Sequence, residues 1–270
     1  MTGSSDDLIQ NYKLKIKSKY DLTNLGPIHW LLGIKITRDR ENRTISLSQS
    51  SYIDSLIRRF NFTDLKPYST PMDPNIQYSK NQCPQTPEEA TEMHHIPYRE
   101  AVGSLLYLAI VTRPDIAFPI GILSQFVDNL GQADWEGVKH VFRYLAGTRN
   151  WALVYGTKVK GLEGFTDADG ATQEHRHAIT RYAFLIDGGA VSWSSKKQEI
   201  VTLSTAESEY VAATHAAKEA IWLRRFIGEV FQPLTNPIPL YSDSQAAIAL
   251  TCDGSNHART KHIDIRYHFI

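Results

Sequence analysis

The strongest constraint on the fold is the order of strand and helix patterns in the last hundred or so residues. Three short segments there are rich in β-branched and aromatic residues and are bounded by turn residues, as is typical of strands: GLEGFTDAD, RYAFLIDGG and AVSWSS. Asp187-Gly188-Gly189 predicts a hairpin between the last two. A long helix is predicted from Ser204 to about Val230. The remaining patterns are a strand, a short helix and a final helix: IPLYSDS, QAAIALTC and TKHIDIRYHFI.

The N-terminal part of the chain is organised differently. Residues 6–20 have a helical pattern, and two apolar runs around a charged turn from Arg38 to Arg43 predict a hairpin. A short helix is predicted in SQSSYIDSLIRRFNF, where apolar residues recur at helical spacing. Residues 66–97 hold six of the twelve prolines, which indicates a linker or an extended crossing segment.

Three further helical patterns lie between Tyr98 and Thr148. Pro119 should kink or delay the second of these helices, and Gly147 is a candidate C-cap for the third. The apolar stretch of residues 103–123 is interrupted by Arg113, Pro114 and Asp115, so it cannot cross a bilayer as one segment. No signal-peptide pattern is present at the N-terminus, so we expect an intracellular protein without a membrane partner.

Charge and cysteine content exclude two classes of function. A formal net charge of +0 argues against a free-standing, strongly basic nucleic-acid binder, because affinity for phosphates scales with the cations presented. Cys83 and Cys252 lie far apart and form no CxxC or Cys/His pattern, so they predict free thiols and no zinc site.

The start of the long helix carries two carboxylates with different expected roles. Ser204 and Glu207 fit the S-x-x-E capping box, which accounts for Glu207 as a helix-terminus residue. Glu209 falls outside that motif and begins a stripe of small residues that would allow close approach to a sheet: Ala213, Ala216 and Ala220. A carboxylate on such a face is costly to bury unless a cation or another partner compensates it.

Two aspartates offer that compensation through a shared metal. Asp167 closes the first predicted strand and Asp243 the fourth, so parallel, adjacent strands would bring both to one edge of the sheet, near Glu209. Three converging carboxylates repel one another unless divalent cations neutralise them, and Mg²⁺ suits an all-oxygen site. Two such ions about 3.5–4 Å apart activate water and stabilise the leaving oxygen of a phosphodiester. Taken singly, each aspartate is more often a turn former or an N-cap, and Asp169 could replace Asp167 in the argument.

Several long stretches together resemble one family. They are LGIKITRD, LSQSSYI, YREAVGSLLYLAIVTRPDIAF, FRYLAGT, AVSWSSKKQ, STAESEY, YSDSQAAIAL and RTKHIDIRYHFI. In this order they resemble the reverse transcriptase–ribonuclease H portion of copia-type LTR retrotransposon Pol polyproteins, along essentially the whole chain. The resemblance places the ribonuclease H acids, as catalytic residues and metal ligands, on Asp167, Glu209 and Asp243. It implies Mg²⁺, or Mn²⁺ in its place, as cofactor, and hydrolysis of RNA in RNA–DNA hybrids.

The resemblance also implies an α/β architecture in three parts. Residues 1–70 would be the C-terminal, thumb-side remnant of the reverse transcriptase, a small α+β unit. Residues 71–155 would be a linker and helical connection, and residues 156–270 a ribonuclease H-like domain with an incomplete mixed sheet. The expected partners are an RNA–DNA hybrid and other Pol segments. The expected location is the cytoplasm or a virus-like particle, with the nucleus as an alternative.

Departures from the family pattern bear on activity. The family's Y-x-D-D polymerase hairpin precedes a T-G-S stretch, and the chain begins MTGSSDD, so Asp6 and Asp7 are not expected to be the polymerase acids. The chain reads DADGAT where the family usually has D-A-D-W-A-G, and Arg181 stands where it usually has glycine.

The C-terminal stretch bears on activity as well. Asp264 belongs to a stretch that is an internal helix in the family, so a fifth strand and the fourth acid are expected to be missing. These departures predict weak or absent activity. Two alternatives remain open: a non-catalytic remnant that binds hybrid or polyprotein partners, and another nuclease of the same fold.

Overall fold

The computed structural model describes residues 5–157, 161–169 and 177–252. The α-helices in this part of the chain are α1 (Asp6–Lys17), α2 (Ser50–Arg59), α3 (Pro87–Met93), α4 (Tyr98–Val111), α5 (Ala117–Leu123), α6 (Gln132–Gly147), α7 (Thr205–Val230) and α8 (Gln245–Cys252). The strands are β1 (Trp30–Leu31), β2 (Ile34–Asp39), β3 (Thr44–Ser48), β4 (Leu153–Tyr155), β5 (Leu162–Asp169), β6 (Ile179–Ile186), β7 (Gly189–Lys197) and β8 (Leu240–Tyr241). They form two four-stranded sheets, so the protein is α/β.

The first sheet has the order β1-β2-β3-β4, and every neighbouring pair is antiparallel. The predicted hairpin is β2–β3, whose turn is held by Asp39, because its Oδ1 accepts hydrogen bonds of 3.0 Å from two amides in the turn. β4 has no counterpart among the strands predicted from the sequence. This strand follows the helical region and returns to the sheet beside β3, pairing Tyr155 with Ile45.

The largest hydrophobic core lies among α2, α4, α5 and α6. Ile53 and Leu56 of α2 are buried against residues of the later helices, such as Leu105 and Phe142. One core therefore includes residues on both sides of position 70.

Two details of the helical region differ from the sequence expectations, and the effect of Pro119 agrees with one of the two expected alternatives. The proline-rich segment 66–97 is not entirely extended, since it contains α3, whose first turn is capped by Thr86 through a 3.3 Å bond from the Glu89 amide. Pro119 delays α5 and does not kink it, because it lies in the first turn, where amides have no intrahelical acceptor. Gly147 is the last residue of α6, and Thr148 is its C-cap.

The second sheet has the order β7-β6-β5-β8 and packs against α7. β5–β6 and β6–β7 are antiparallel, whereas β5 and β8 are parallel, with Phe165 beside Tyr241. Leu162, Phe184, Ala216 and Leu223 form the core between this sheet and α7. Small residues on α7 allow this approach, as the sequence predicts, and Ala213 and Ala216 are both buried.

Direct hydrogen bonds join the second sheet to the rest of the protein. The Trp193 indole Nε1 of β7 donates to the Ala109 carbonyl of α4 over 2.7 Å. The Tyr155 hydroxyl of β4 donates to the Ala190 carbonyl over 2.7 Å. None of the helices in the described ranges combines the length and apolar character needed to cross a bilayer.

Candidate metal centre

The structure brings together the three carboxylates that the sequence singles out. One carboxylate oxygen from each of Asp167, Glu209 and Asp243 lies within 4.8 Å of the other two. Asp167 is on β5, Glu209 is in the second turn of α7, and Asp243 lies two residues beyond the end of β8. The parallel pairing of Phe165 with Tyr241 explains why the aspartates meet, since each lies two residues further along its chain segment.

Around the cluster, β5 is longer and β8 is shorter than the sequence predicts. β5 continues to Asp169, so Asp167 lies within the strand and does not end it. β8 contains only Leu240 and Tyr241, so Asp243 lies in the following turn and is exposed. Asp264, which the sequence does not predict to be a fourth acid of the site, lies outside the described residues.

Glu209 is the buried member of the cluster, and its surroundings disfavour its charged form. Its relative exposure is 8%, and its Oε2 has no hydrogen-bond partner within the part of the chain that the structure describes. Burial raises the pKa of the Glu209 carboxyl, and the charges of Asp167 and Asp243 raise it further. A hydrogen bond from the Ala168 backbone amide and the charge of Arg181 act in the opposite direction on this pKa. One oxygen of the Glu209 carboxylate therefore accepts a hydrogen bond, whereas the other has no hydrogen-bond donor beside it among the described residues.

A divalent cation would fit these residues. A buried acceptor without a partner costs free energy, and so does the proximity of three negative charges. An oxygen-liganded ion such as Mg²⁺ removes both costs at once, and the exposure of Asp243 leaves room for water or phosphate ligands. The donor set contains only carboxylate oxygens, which suits Mg²⁺ or Mn²⁺ better than zinc. Cys83 and Cys252 form no disulfide within the described residues and lie outside this cluster.

Glu207 and Asp169, the neighbouring acids, have other partners. The Glu207 amide donates to Ser204 Oγ over 3.3 Å, which is half of the predicted capping box. The Glu207 carboxylate accepts from the Leu203 amide over 2.8 Å, one residue earlier than the motif predicts. Asp169 Oδ2 accepts a 2.7 Å hydrogen bond from Arg181 Nη2. Neither acid joins the three-carboxylate group.

Arg181 is a charged neighbour of the cluster that the sequence analysis noted only as a departure from a family pattern. It lies directly opposite Asp167 in the antiparallel pair β5–β6, and its Nη1 is 3.3 Å from Asp167 Oδ2. The sequence contained no sign of this contact, because it depends on the register of the two strands.

An exposed aromatic pair lies beside the acids. The rings of Phe165 and Tyr241 stack with centroids 5.2 Å apart and an interplanar angle of 29°. Both side chains are exposed although they are large and apolar. Phe165 and Asp167 are alternate residues of β5, so their side chains lie on one face of the sheet, and Tyr241 is the last residue of β8, two positions before Asp243.

Comparisons with known proteins point to one group. The family model described as reverse transcriptase (RNA-dependent DNA polymerase) matches residues 1–74. The Pol polyprotein from transposon TNT 1-94 of Nicotiana tabacum is 45% identical over 271 residues, which is 100% of this chain and 20% of that protein. The Pol polyprotein from transposon RE1 of Arabidopsis thaliana is 34% identical over 272 residues, again 100% of this chain and 18% of that protein.

A shorter relative is covered more fully. A putative transposon Ty5-1 protein of Saccharomyces cerevisiae is 30% identical over 227 residues, which is 81% of this chain and 70% of that protein. The chain thus spans only about a fifth of the length of the Pol polyproteins that it matches. No solved structure matches the chain.

Proposed function

Because the chain belongs to the copia-type retrotransposon Pol polyproteins, we propose that it contributes a divalent-metal-dependent nuclease site that hydrolyses the RNA strand of RNA–DNA hybrids. The proposed catalytic residues and metal ligands are Asp167, Glu209 and Asp243. The proposed cofactor is Mg²⁺, with Mn²⁺ as a substitute.

One observation carries this proposal: the unpartnered, buried Oε2 of Glu209 lies in a group of three carboxylates. A structural role alone would give this oxygen a hydrogen-bond donor, because buried polar atoms nearly always have one. A cation in the cluster supplies the missing partner.

The residues around the site have distinct proposed tasks. When bound, the metal supplies activation of a water and stabilisation of the leaving oxygen of a phosphodiester. Asp167 on β5 and Asp243 just beyond β8 offer accessible oxygens, while the Ala168 amide fixes the orientation of the Glu209 carboxylate. The stacked rings of Phe165 and Tyr241 give a nucleic-acid strand a surface for base stacking beside the metal ligands.

The fold assignment that accompanies this chemistry is also a proposal. The order β7-β6-β5-β8, with one parallel pair and α7 across β5 and β6, suits a ribonuclease H-like domain over residues 156–270. Residues 1–70 are proposed as a reverse transcriptase remnant and residues 71–155 as a linker and helical connection. The remainder of a Pol polyprotein is the proposed protein partner.

The test is a cleavage assay with purified protein and a duplex whose RNA strand is end-labelled. Because the departures from the family pattern predict low activity, we expect at most weak internal cleavage of RNA in the RNA–DNA hybrid with Mg²⁺ or Mn²⁺, no cleavage with EDTA, and no cleavage of duplex DNA. Asp243→Asn and Glu209→Gln should abolish cleavage. Glu207→Gln, a matched change two residues from Glu209 at the exposed helix start, should retain it. Equal cleavage by all variants would reject the assigned site.

A second candidate function is binding of the hybrid without cleavage. The ion pair between Arg181 and Asp167 favours it, because this pair partly neutralises the cluster without any metal. Gel-shift binding of hybrid that is independent of divalent cations, with no cleavage under any of the conditions above, would support this second function.

A further inference from the structure

Arg181 makes two ion pairs within the acidic edge of the second sheet. Its Nη1 lies 3.3 Å from Asp167 Oδ2, and its Nη2 lies 2.7 Å from Asp169 Oδ2. One guanidinium thus links two carboxylates on β5, and one of them is a proposed metal ligand. The contact is built into the sheet, because Asp167 and Arg181 are paired residues of neighbouring strands.

Packing holds the guanidinium at this position. It lies over the ring of Phe118 on α5, with Cζ 4.5 Å from the ring centroid, which is a favourable cation–π geometry. The Arg181 side chain is 33% exposed, and its Nε is buried without a hydrogen-bond acceptor among the described residues.

The guanidinium and a metal ion would use the same negative charge. Arg181 bonds to one oxygen of Asp167, and Asp167 also supplies an oxygen to the group of three carboxylates. A positive charge in contact with a ligand reduces the electrostatic attraction of that ligand for a cation. A cleft of about 280 Å³ adjoins this contact and is lined by Phe118, Phe165, Asp167 and Arg181 among others, which leaves the guanidinium space to withdraw.

We propose that Arg181 is an internal counter-ion of the metal site, which competes with divalent cations for Asp167 and lowers their affinity. In the metal-free protein the guanidinium replaces part of the charge that a cation supplies. Metal binding then requires Arg181 to release or share Asp167. This inference rests on the proposed function, since it takes Asp167, Glu209 and Asp243 as the metal ligands.

Removal of the Arg181 side chain should tighten metal binding, whereas removal of a side chain from a binding site usually weakens it. A unit charge in contact with one ligand, in partly hydrated surroundings, changes the affinity for a divalent ion by about tenfold. Arg181→Gln should therefore lower the dissociation constant for Mn²⁺ and Mg²⁺ by about tenfold. Arg181→Lys keeps the charge but cannot bridge two carboxylates, so a smaller gain is expected.

The experiment is calorimetric titration of the purified full chain with Mn²⁺ and with Mg²⁺, which needs no nuclease activity. Asp243→Asn should abolish binding. Arg99→Gln is the matched control, because it removes an arginine from an exposed ion pair with Asp128 and should leave the affinity unchanged. Thermal unfolding of each variant in EDTA shows whether it is folded, and Arg181→Lys is the variant to use if Arg181→Gln is not.

The outcomes separate this inference from the function on which it rests. Tighter binding by the Arg181 variants, with unchanged affinity in Arg99→Gln, supports the counter-ion. Equal or weaker binding by the Arg181 variants, with Asp243→Asn still inactive in binding, overturns the counter-ion and leaves the metal site in place. If neither the wild type nor the Arg181 variants bind metal saturably, both the site and the inference are wrong.

Discussion

Replacing Glu209 by glutamine tests two things: whether the acidic cluster destabilises the metal-free protein, and whether Glu209 binds a metal ion. The wild-type carboxylate is 8% exposed, has one oxygen without a partner, and lies near two other carboxylates. An unsatisfied buried polar atom costs roughly 1–3 kcal/mol. An amide in its place carries no charge and can donate to Asp167 or Asp243. We therefore expect Glu209→Gln to raise the free energy of unfolding by about 1 kcal/mol at pH 7 without metal, or Tm by about 2–4 °C.

The effect should depend on pH in a direction set by the raised pKa of Glu209. The folded protein holds this proton more tightly than the unfolded chain, so wild-type stability from this group falls as pH rises from the ordinary pKa through the raised one. Glutamine does not titrate. The advantage of Glu209→Gln should thus be full above the raised pKa and should disappear near pH 4, below the ordinary value of 4.5.

With a bound metal ion, the wild type should become more stable than Glu209→Gln. An ion that binds only the folded wild type adds about 2.7 kcal/mol at a free concentration one hundred times its dissociation constant. The variant lacks the ligand and should gain nothing. Urea unfolding followed by circular dichroism, in EDTA and in Mg²⁺ at pH 7, measures all four free energies.

A matched variant and one clear outcome make this test decisive. Glu207→Gln changes the same residue type at the exposed helix start, where the side chain still accepts from the Leu203 amide. We expect it to lose about 0.3–1 kcal/mol through a weaker interaction with the helix dipole, with or without metal. If Glu209→Gln is less stable than the wild type in EDTA at pH 7, the prediction that the charged Glu209 side chain destabilises the metal-free protein is refuted.

Three further predictions concern groups outside the cluster. Burial raises the pKa of Asp134 to about 6, so wild-type stability should increase as pH falls from about 6 to 4, and Asp134→Asn should remove up to about 3 kcal/mol of that dependence in urea unfolding. Gly164→Ala should cost about 2–4 kcal/mol of unfolding free energy, because a Cβ there would lie 2.4 Å from the ring of Phe184. Trp193→Phe should cost about 1–2 kcal/mol, since it removes the 2.7 Å bond to the Ala109 carbonyl.

Each of these predictions has its own control or contradicting result. A pH dependence that persists in Asp134→Asn would assign it to another group. Gly103→Ala on α4 meets no atom within 4 Å and should be neutral or slightly stabilising, in contrast to Gly164→Ala. A neutral Trp193→Phe would show that the indole bond contributes nothing to the attachment of β7.

The features that could be predicted from the sequence are those encoded by local spacing. The start of α7 follows from Ser204 and Glu207, and the meeting of Asp167 with Asp243 follows once their strands are parallel neighbours. β4 was missed because three residues are too few to show an alternating pattern. The contact of Arg181 with Asp167 was missed because strand register is set by tertiary packing and the hairpin geometry. The catalytic and metal-binding roles of the cluster remain predictions.

The pairing of β4 with β3 has a consequence for how the chain acquires its structure during synthesis. More than a hundred residues separate Ile45 from its partner Tyr155, and the helical core is made from the sequence between them. A growing chain exposes the open edge of β3 throughout the time in which those residues emerge, and an unpaired edge invites association with other chains. The late strand therefore acts as a closing step for the whole N-terminal half. A chain that ends at residue 152 should therefore be prone to aggregate. It lacks β4 but keeps every buried residue of the helical core.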